Sequence, residues 1–266
     1  MPHQTTPHQG RTYAVTGAAS GIGAATAAWL RTAGARVIAC DLAGGDVAAD
    51  LATAAGRTAL VEGVARLSDG RLDGVVANAG GGPTETMIAL NFFGAVATLE
   101  GLRPLLAKSP APRAVAISSV SSLSPGDPAL VEACLSLDEA QAVAAASQAI
   151  AAGKTGLDLY GGAKRALNSW CRRAAVTPAW AGASIPLNVI APGVVDTPAA
   201  QWVLSSAERR QEMARQTPLA AASPAHPDQL AALAAWLVGP ENAVMTGQVL
   251  FFDGGLECLA RGERAW

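Results

Sequence analysis

Thr12-Tyr13-Ala14-Val15-Thr16-Gly17-Ala18-Ala19-Ser20-Gly21-Ile22-Gly23 is the stretch that decides the fold. Its first five residues are a short β-type run. The glycines then make a turn, and Ile22, Ala25, Trp29 and Ala33 follow at helical spacing until Gly34 ends the helix. Strand, glycine turn and helix in succession are the local context of a dinucleotide site. Glycine lets the backbone turn tightly and approach a pyrophosphate, while the helix start offers free N–H groups and positive potential. A glycine-rich turn alone is weak evidence, so the rest of the chain must bear on it.

Downstream, Arg36-Val37-Ile38-Ala39-Cys40 reads as a second strand ending at Asp41. An acidic residue about twenty positions past the glycines bonds the adenosine ribose hydroxyls. A carboxylate there repels a 2′-phosphate, Leu42 is not basic, and Ala18, Ala19 and Ser20 supply no cation. NAD is therefore expected rather than NADP. The other reading of Asp41 is a turn-opening residue before Gly44-Gly45.

Val47-Ala48-Ala49-Asp50 reads as a third strand, and Thr53 to Leu67 as a helix with Leu60, Val64 and Leu67 on one face. Leu72 to Ala77 is a buried strand running into Asn78-Ala79-Gly80-Gly81-Gly82-Pro83. Met87 to Lys108 is helical and carries Asn91, and Ala114 to Ile117 is a fifth strand leading into Ser118-Ser119-Val120. Ile185 to Ala191 and Gly247 to Phe252 complete the strands, with a helix from Pro227 between them.

Composition bounds the class. Half of the 266 residues are apolar, 15% are charged and the formal net charge is −2, so nothing points to nucleic acid or an anionic membrane. No apolar run approaches the roughly 18 to 20 residues that span a bilayer. Residues 1–10 are polar, lack a signal-peptide core and read as a disordered extension. Cys40, Cys134, Cys171 and Cys258 are scattered, as expected of buried thiols in a reduced compartment, and two of the three histidines fall in the expected tail, so no metal centre is expected. The expected location is cytoplasmic.

Tyr160 and Lys164 are four residues apart in Tyr160-Gly161-Gly162-Ala163-Lys164, and so share one helix face. A nearby ammonium favours a phenolate, and a phenol tuned in this way can exchange a proton with an alcohol oxygen near neutral pH. A surface Tyr–Lys pair is the alternative.

Together, Thr16-Gly17-Ala18-Ala19-Ser20-Gly21-Ile22-Gly23, Asn78-Ala79-Gly80, Ser119, Tyr160-x-x-x-Lys164 and Pro192-Gly193 resemble the ordered motifs of the short-chain dehydrogenase/reductase family from about Arg11 to Ala260. The resemblance implies one doubly wound α/β Rossmann domain spanning 11–266, with about seven parallel strands and helices on both faces. It also implies NAD(H)-dependent interconversion of a secondary alcohol and a ketone. Gly17, Ser20, Gly21, Ile22 and Gly23 match the pyrophosphate loop; Asp41 and Leu42 the ribose end; Asp50 and Leu51 the adenine edge; and Asn78, Ala79 and Gly80 the ribose-flanking loop. Ser119 matches the catalytic serine, Tyr160 and Lys164 the acid/base and its partner, and Asn91 the proton relay. Pro192, Gly193, Val195 and Thr197 match the segment holding the carboxamide. Lys164 is expected to lower the Tyr160 pKa and to bond the nicotinamide ribose. Partners are expected to be a small hydrophobic alcohol or ketone and further copies of the chain, as a dimer or tetramer.

Two departures matter. Asn78 and Asn91 are only thirteen residues apart, shorter than usual in the family, whereas Ser119 and Tyr160 are 41 apart, far more than usual. The added segment, 123–156, is expected to be helical, with Asp127-Pro128 starting one helix, a capping box at Ser136-Leu137-Asp138-Glu139 starting another, and Val143 and Ile150 on its apolar face. This combination resembles bacterial 3α-hydroxysteroid dehydrogenase/carbonyl reductases. The insertion either walls the substrate cleft or covers the helices by which most relatives dimerise. An apolar lid is expected over Pro198–Ala222 from Ala199, Ala200, Trp202, Val203, Leu204 and Met213, which suits a 3-hydroxysteroid. The alternatives are small or cyclic ketones and terpenoid-like alcohols, or a cofactor-binding regulator without turnover.

Overall fold

A computed structural model describes residues 7–219 and 224–265. Seven parallel strands form one sheet in the order β3-β2-β1-β4-β5-β6-β7. They are β1 (Thr12–Thr16), β2 (Arg36–Asp41), β3 (Val47–Ala48), β4 (Gly74–Ala77), β5 (Arg113–Ile117), β6 (Leu187–Pro192) and β7 (Val249–Phe252). The helices are α1 (Gly21–Thr32), α2 (Ala54–Leu67), α3 (Ala95–Leu106), α4 (Pro128–Leu135), α5 (Glu139–Ala151), α6 (Gly156–Ala174), α7 (Gln201–Leu204), α8 (Ala207–Gln216), α9 (Pro227–Val238) and α10 (Leu256–Arg261).

Strand residues alternate between two cores. Tyr13, Val15, Val76 and Val115 pack with α1 and α9, while Ala14, Val75, Ala114 and Ala116 face the layer of α2, α3 and α6. Both sheet faces are thus covered, and the inner strands are apolar on both sides, as in a doubly wound sheet. The chain leaves β1 towards β2 and β3, then returns to place β4 on the other side of β1. Ligands bind at such a reversal, outside the carboxyl ends of the strands.

Several local expectations need correction. Along α1 the buried residues are Gly23, Thr26, Ala27 and Leu30, whereas Trp29 is exposed. The face is one residue off because α1 packs on α9 through Gly23, Thr26, Ala27 and Leu30, which leaves Trp29 on the solvent side. The stretch from Met87 is not one regular helix: Ala89–Gly94 is wound as a π-helix before α3 begins. Asp127 caps α4 as expected, but Ser136 closes α4 as its C-cap and does not open α5. Leu137 takes a left-handed φ of 60°, and Asp138 caps α5 by accepting from Gln141 N at 2.9 Å. Alanines 142, 145, 146 and 149 form the buried face of α5, and Val143 and Ile150 face outward.

The chain start is also more ordered than expected. His8 is buried and its Nδ1 lies 2.7 Å from the Tyr13 hydroxyl, so residues 7–10 are part of the fold. Residues 1–6 of the expected extension and 220–222 of the expected lid lie outside the described residues. Cys40, Cys134 and Cys171 are buried free thiols, but Cys258 is exposed, since α10 buries no side chain. No helix among the described residues is long and apolar enough to cross a membrane.

Candidate active site

The glycine turn leaves β1 and enters α1 with little room to spare. A Cβ on Gly23 would lie 2.0 Å from the Gly17 carbonyl oxygen, and one on Gly17, at φ +66°, would lie 2.7 Å from Asn78 Nδ2. Asn78 locks this geometry from across the reversal: its Nδ2 donates to the carbonyls of Thr16 (3.0 Å) and Gly17 (3.3 Å), and its amide donates to Thr16 Oγ1. The Ser20 side chain makes no capping bond, so the first N–H groups of α1 keep their polarity for an anion. Thr197 sits across the cleft, its Cγ2 3.1 Å from where a Gly21 Cβ would be. A cradle closed to any side chain, at an uncapped helix start, fits a pyrophosphate.

Asp41 ends β2 beside this turn. Its Oδ2 accepts from Ala19 N at 2.8 Å and its Oδ1 from Leu42 N at 2.7 Å, which leaves each oxygen a lone pair for a sugar hydroxyl. Asp41 therefore shapes the turn as well as facing it. The Leu42 side chain is exposed. Asp50 and Leu51 follow β3, with Leu51 buried and Asp50 exposed. On the other flank, Gly193 N donates to Phe252 O, and a Gly193 Cβ would meet Asp253 Cα at 3.0 Å. Val195 is buried and bridged to Ala225, and Thr197 Oγ1 donates to its carbonyl at 3.4 Å.

The proton-transfer groups converge from β5 and α6. Ser118 is buried and turned to the Lys164 carbonyl, whereas Ser119 Oγ, which accepts from Ser121 N at 3.1 Å, stands near enough to the partly buried Tyr160 to act on its pKa. Lys164 is buried, its Nζ donates to Ile117 O at 2.9 Å and stands 5.6 Å from the Tyr160 ring centroid. The expected lowering of the phenol pKa by lysine is not what this arrangement produces. Burial raises the Tyr160 pKa, with the Ser119 hydroxyl acting against it. Lys164 is itself lowered to about 8 by desolvation, and its Nζ is directed at a carbonyl.

Asn91 is fully buried in the π-helix. Its Nδ2 donates to Gly81 O and Met87 O, both at 2.8 Å, and its Oδ1 accepts from Gly81 N at 2.9 Å. A Cβ on Gly80 would lie 2.9 Å from Asn91 Oδ1 and 3.2 Å from Lys164 Nζ, so the loop after β4 passes between the two. Ala79, beside it, has its amide bonded to Thr16 Oγ1.

Motif reading missed why two glycines separate Tyr160 from Lys164. A Gly161 Cβ would meet Ser121 O at 2.7 Å, a Gly162 Cβ would meet Leu130 Cδ2 at 3.2 Å, and Gly126 lies directly on Gly162. The insertion packs on this face of α6. The signal was present, because paired glycines inside a helix are costly and need a packing reason. The expected lid is mixed: Leu204 is buried, Trp202 is exposed and α8 buries nothing.

A dinucleotide cradle at the sheet reversal, facing a serine, a tyrosine and a lysine, defines a nicotinamide-dependent oxidoreductase. The chain belongs to the short-chain dehydrogenase/reductase family: a family model described as enoyl-(acyl carrier protein) reductase matches residues 17–257. It is 35% identical to the 3-alpha-hydroxysteroid dehydrogenase/carbonyl reductase of Comamonas testosteroni, over 93% of this chain and 96% of that protein. The crystal structure of the 3-alpha-hydroxysteroid dehydrogenase from Pseudomonas sp. B-0831 complexed with NADH superposes with a TM-score of 0.86 at 38% identity, covering 95% of this chain and 99% of that one. The Pseudomonas aeruginosa RhlG/NADP complex superposes at 0.74 with 29% identity, covering 94% and 98%. Relatives thus use either dinucleotide.

Proposed function

We propose that this protein is an NAD(H)-dependent oxidoreductase that interconverts a secondary alcohol and a ketone on a hydrophobic substrate such as a 3-hydroxysteroid. The observation that carries the reading is the convergence of Ser119, Tyr160 and Lys164 beside the glycine cradle, with Lys164 Nζ 5.6 Å from the Tyr160 ring centroid. Asp41 supports NAD over NADP, because a carboxylate at the end of β2 beside the glycine turn would repel a 2′-phosphate and no basic side chain stands at 18–20 or 42. Gly17, Ser20, Gly21, Ile22 and Gly23 would hold the pyrophosphate, Asp41 and Leu42 the ribose, Asp50 and Leu51 the adenine. Asn78, Ala79 and Gly80 would line the middle of the cleft, with Pro192, Gly193, Val195 and Thr197 at the carboxamide.

NAD, when bound, supplies the hydride acceptor. In oxidation Tyr160 takes the alcohol proton, and in reduction it donates one. Ser119 orients the substrate oxygen and stabilises charge developing on it. One N–H of Lys164 is held by Ile117, and the others are available to a ribose hydroxyl. Asn91 serves the proton relay and fixes Gly81, which keeps Gly80 beside Lys164.

The mixed lid supports a second substrate class, small or cyclic ketones, because α8 buries no side chain over a large apolar body. Packing of α4 on the Gly161–Gly162 face of α6 supports a homo-oligomer assembled through another surface. Three buried free thiols suit a reducing cytoplasm.

The test is NADH formation with a panel of 3-hydroxysteroids, cyclic alcohols and simple secondary alcohols. Turnover is expected with NAD, and Tyr160→Phe should abolish it while cofactor binding persists. Cofactor binding without turnover of any alcohol would favour a regulator, and a preference for NADP would overturn the role of Asp41.

A further inference from the structure

Arg57 lies in the first turn of α2, where an arginine is ordinarily solvated, yet its side chain is only 12% exposed. Its donors reach three separate segments. Nε donates to Leu51 O at 2.8 Å and Nη2 to Ala89 O at 3.0 Å. Nη1 and Nη2 donate to the two carboxylate oxygens of Glu139, at 2.6 and 2.7 Å. The guanidinium carbon also stands 5.9 Å from the Phe93 ring centroid. Glu139 is the first residue of α5, so its carboxylate also meets the positive end of that helix. Among the ion pairs of the described residues, this is the one that reaches the insertion.

The segments held are not arbitrary. Leu51 follows β3 at the proposed adenine edge, and Ala89 opens the π-helix that carries Asn91. The same loop is backed from both sides: a Cβ on Gly56 would lie 2.0 Å from Asp50 O, and one on Gly94 would lie 3.0 Å from Leu51 O. We infer that Arg57 is a positioning residue that joins the inserted helices, through Glu139, to the adenosine side of the cleft and to the Asn91 turn. Planar two-pronged pairing with carboxylate fixes direction as well as distance, which a lysine cannot reproduce. The cofactor half of this inference rests on the proposed reading of the cleft; the mechanical half does not.

The experiment compares the full chain with Arg57→Met, Arg57→Lys and Glu139→Gln. Hydrogen–deuterium exchange of the cofactor-free proteins reads the mechanical half. Both Arg57→Met and Glu139→Gln should speed exchange together at 50–53, 88–94 and the start of α5. Acceleration confined to α5, or none, overturns the clamp. NADH titration by fluorescence reads the other half. Arg57→Met should weaken NADH by about tenfold, with partial recovery in Arg57→Lys, while KM for the alcohol at saturating cofactor stays within about twofold. Unchanged NADH affinity in a variant with accelerated loop exchange overturns the link to the cofactor. Should the wild type itself not bind NADH, the cofactor reading fails, and exchange alone decides the clamp. If Arg57→Met does not fold, Glu139→Gln, which keeps the side-chain shape, carries both measurements.

Discussion

At Tyr160 two influences compete, since burial raises the phenol pKa and the Ser119 hydroxyl lowers it. Burial prevails, so the phenol is protonated at neutral pH, the form that donates a proton to a ketone. Reduction should then hold steady through neutrality and fall as pH passes the raised value, while oxidation, which needs phenolate, should climb with alkalinity. Lys164, lowered to about 8, loses its charge before the pH reaches the raised Tyr160 value and gives the phenolate less support there. Removing the one group that lowers the Tyr160 pKa should move the rising limb of the oxidation profile upward. Ser119→Ala is expected to do so, with turnover cut by about 10²–10³ as a donor to the reacting oxygen is lost. The kcat/KM profile for alcohol oxidation measures both, and an unmoved limb would contradict the Ser119–Tyr160 coupling. Asp41→Asn tests the other end of the cleft. The amide keeps an oxygen for one turn contact but removes the charge, so the NAD-to-NADP ratio of kcat/KM should fall; an unchanged ratio would locate selectivity elsewhere. The identities of these residues were legible from motif and order. Their ionisation was not, because desolvation depends on which side chains close over a group, and spacing along the chain does not record that.

The element that carries Tyr160 was legible as a helix, but its outer face was not. Gly161 and Gly162 look alike in sequence and differ in what surrounds them. A methyl at Gly161 would meet a main-chain carbonyl, Ser121 O, at 2.7 Å, inside the short turn that follows Ser119. A methyl at Gly162 would meet the far end of a leucine at 3.2 Å, and that side chain can yield. Alanine gains about 1 kcal/mol over glycine inside a helix. For Gly162→Ala this gain should offset the crowding, giving a near-neutral or slightly raised Tm. For Gly161→Ala the backbone clash should win, lowering Tm and costing activity by displacing Ser119. Thermal unfolding and kcat on the pair check the contrast, and equal effects would refute it. The faces of α1 and α5 were misassigned for a related reason. Both helices are alanine-rich, so the larger side chains Trp29, Val143 and Ile150 dominate any periodic reading, yet apart from Leu30 the buried faces are built from small residues. The start of α5 was misplaced by two residues because the left-handed Leu137 interrupts the expected box, leaving Asp138 to cap.

Across the whole molecule, the groups proposed for chemistry lie at the carboxyl ends of the strands, while a buried polar cluster ties the amino ends. Arg11 donates from Nε to the Tyr13 hydroxyl at 2.7 Å and from Nη2 to the carbonyls of Asp73 and Ala111. Asp73 in turn accepts from Thr12 N and from Ser109 Oγ. The order of β1, β4 and β5 follows from the doubly wound pattern, but this cluster was not legible, because it joins residues scattered between His8 and Ala111 and begins in a stretch whose composition reads as a tail. The hydroxyl of Tyr13 accepts from Arg11 and lies 2.7 Å from His8 Nδ1, which can take the hydroxyl hydrogen when His8 is neutral with its proton on Nε2. Burial lowers the His8 pKa below 6.5, Glu241 pulls it up and Arg11 pushes it down. A base with a depressed folded pKa stabilises the fold fully above its unfolded value, here 6.5, and loses that contribution as pH falls through the lowered value. Protonation would set an N–H against the Tyr13 hydroxyl and a second cation beside Arg11. His8→Leu removes the titration and leaves the Tyr13 hydroxyl without its acceptor, at a cost of about 1–3 kcal/mol near neutral pH. Denaturant unfolding should therefore show wild type ahead of the variant above pH 6.5, with the gap closing as pH falls through the lowered value and His8 takes up its proton. A gap that stays constant over that range would mean that His8 contributes packing alone, and that its protonation does not loosen the chain start from the sheet.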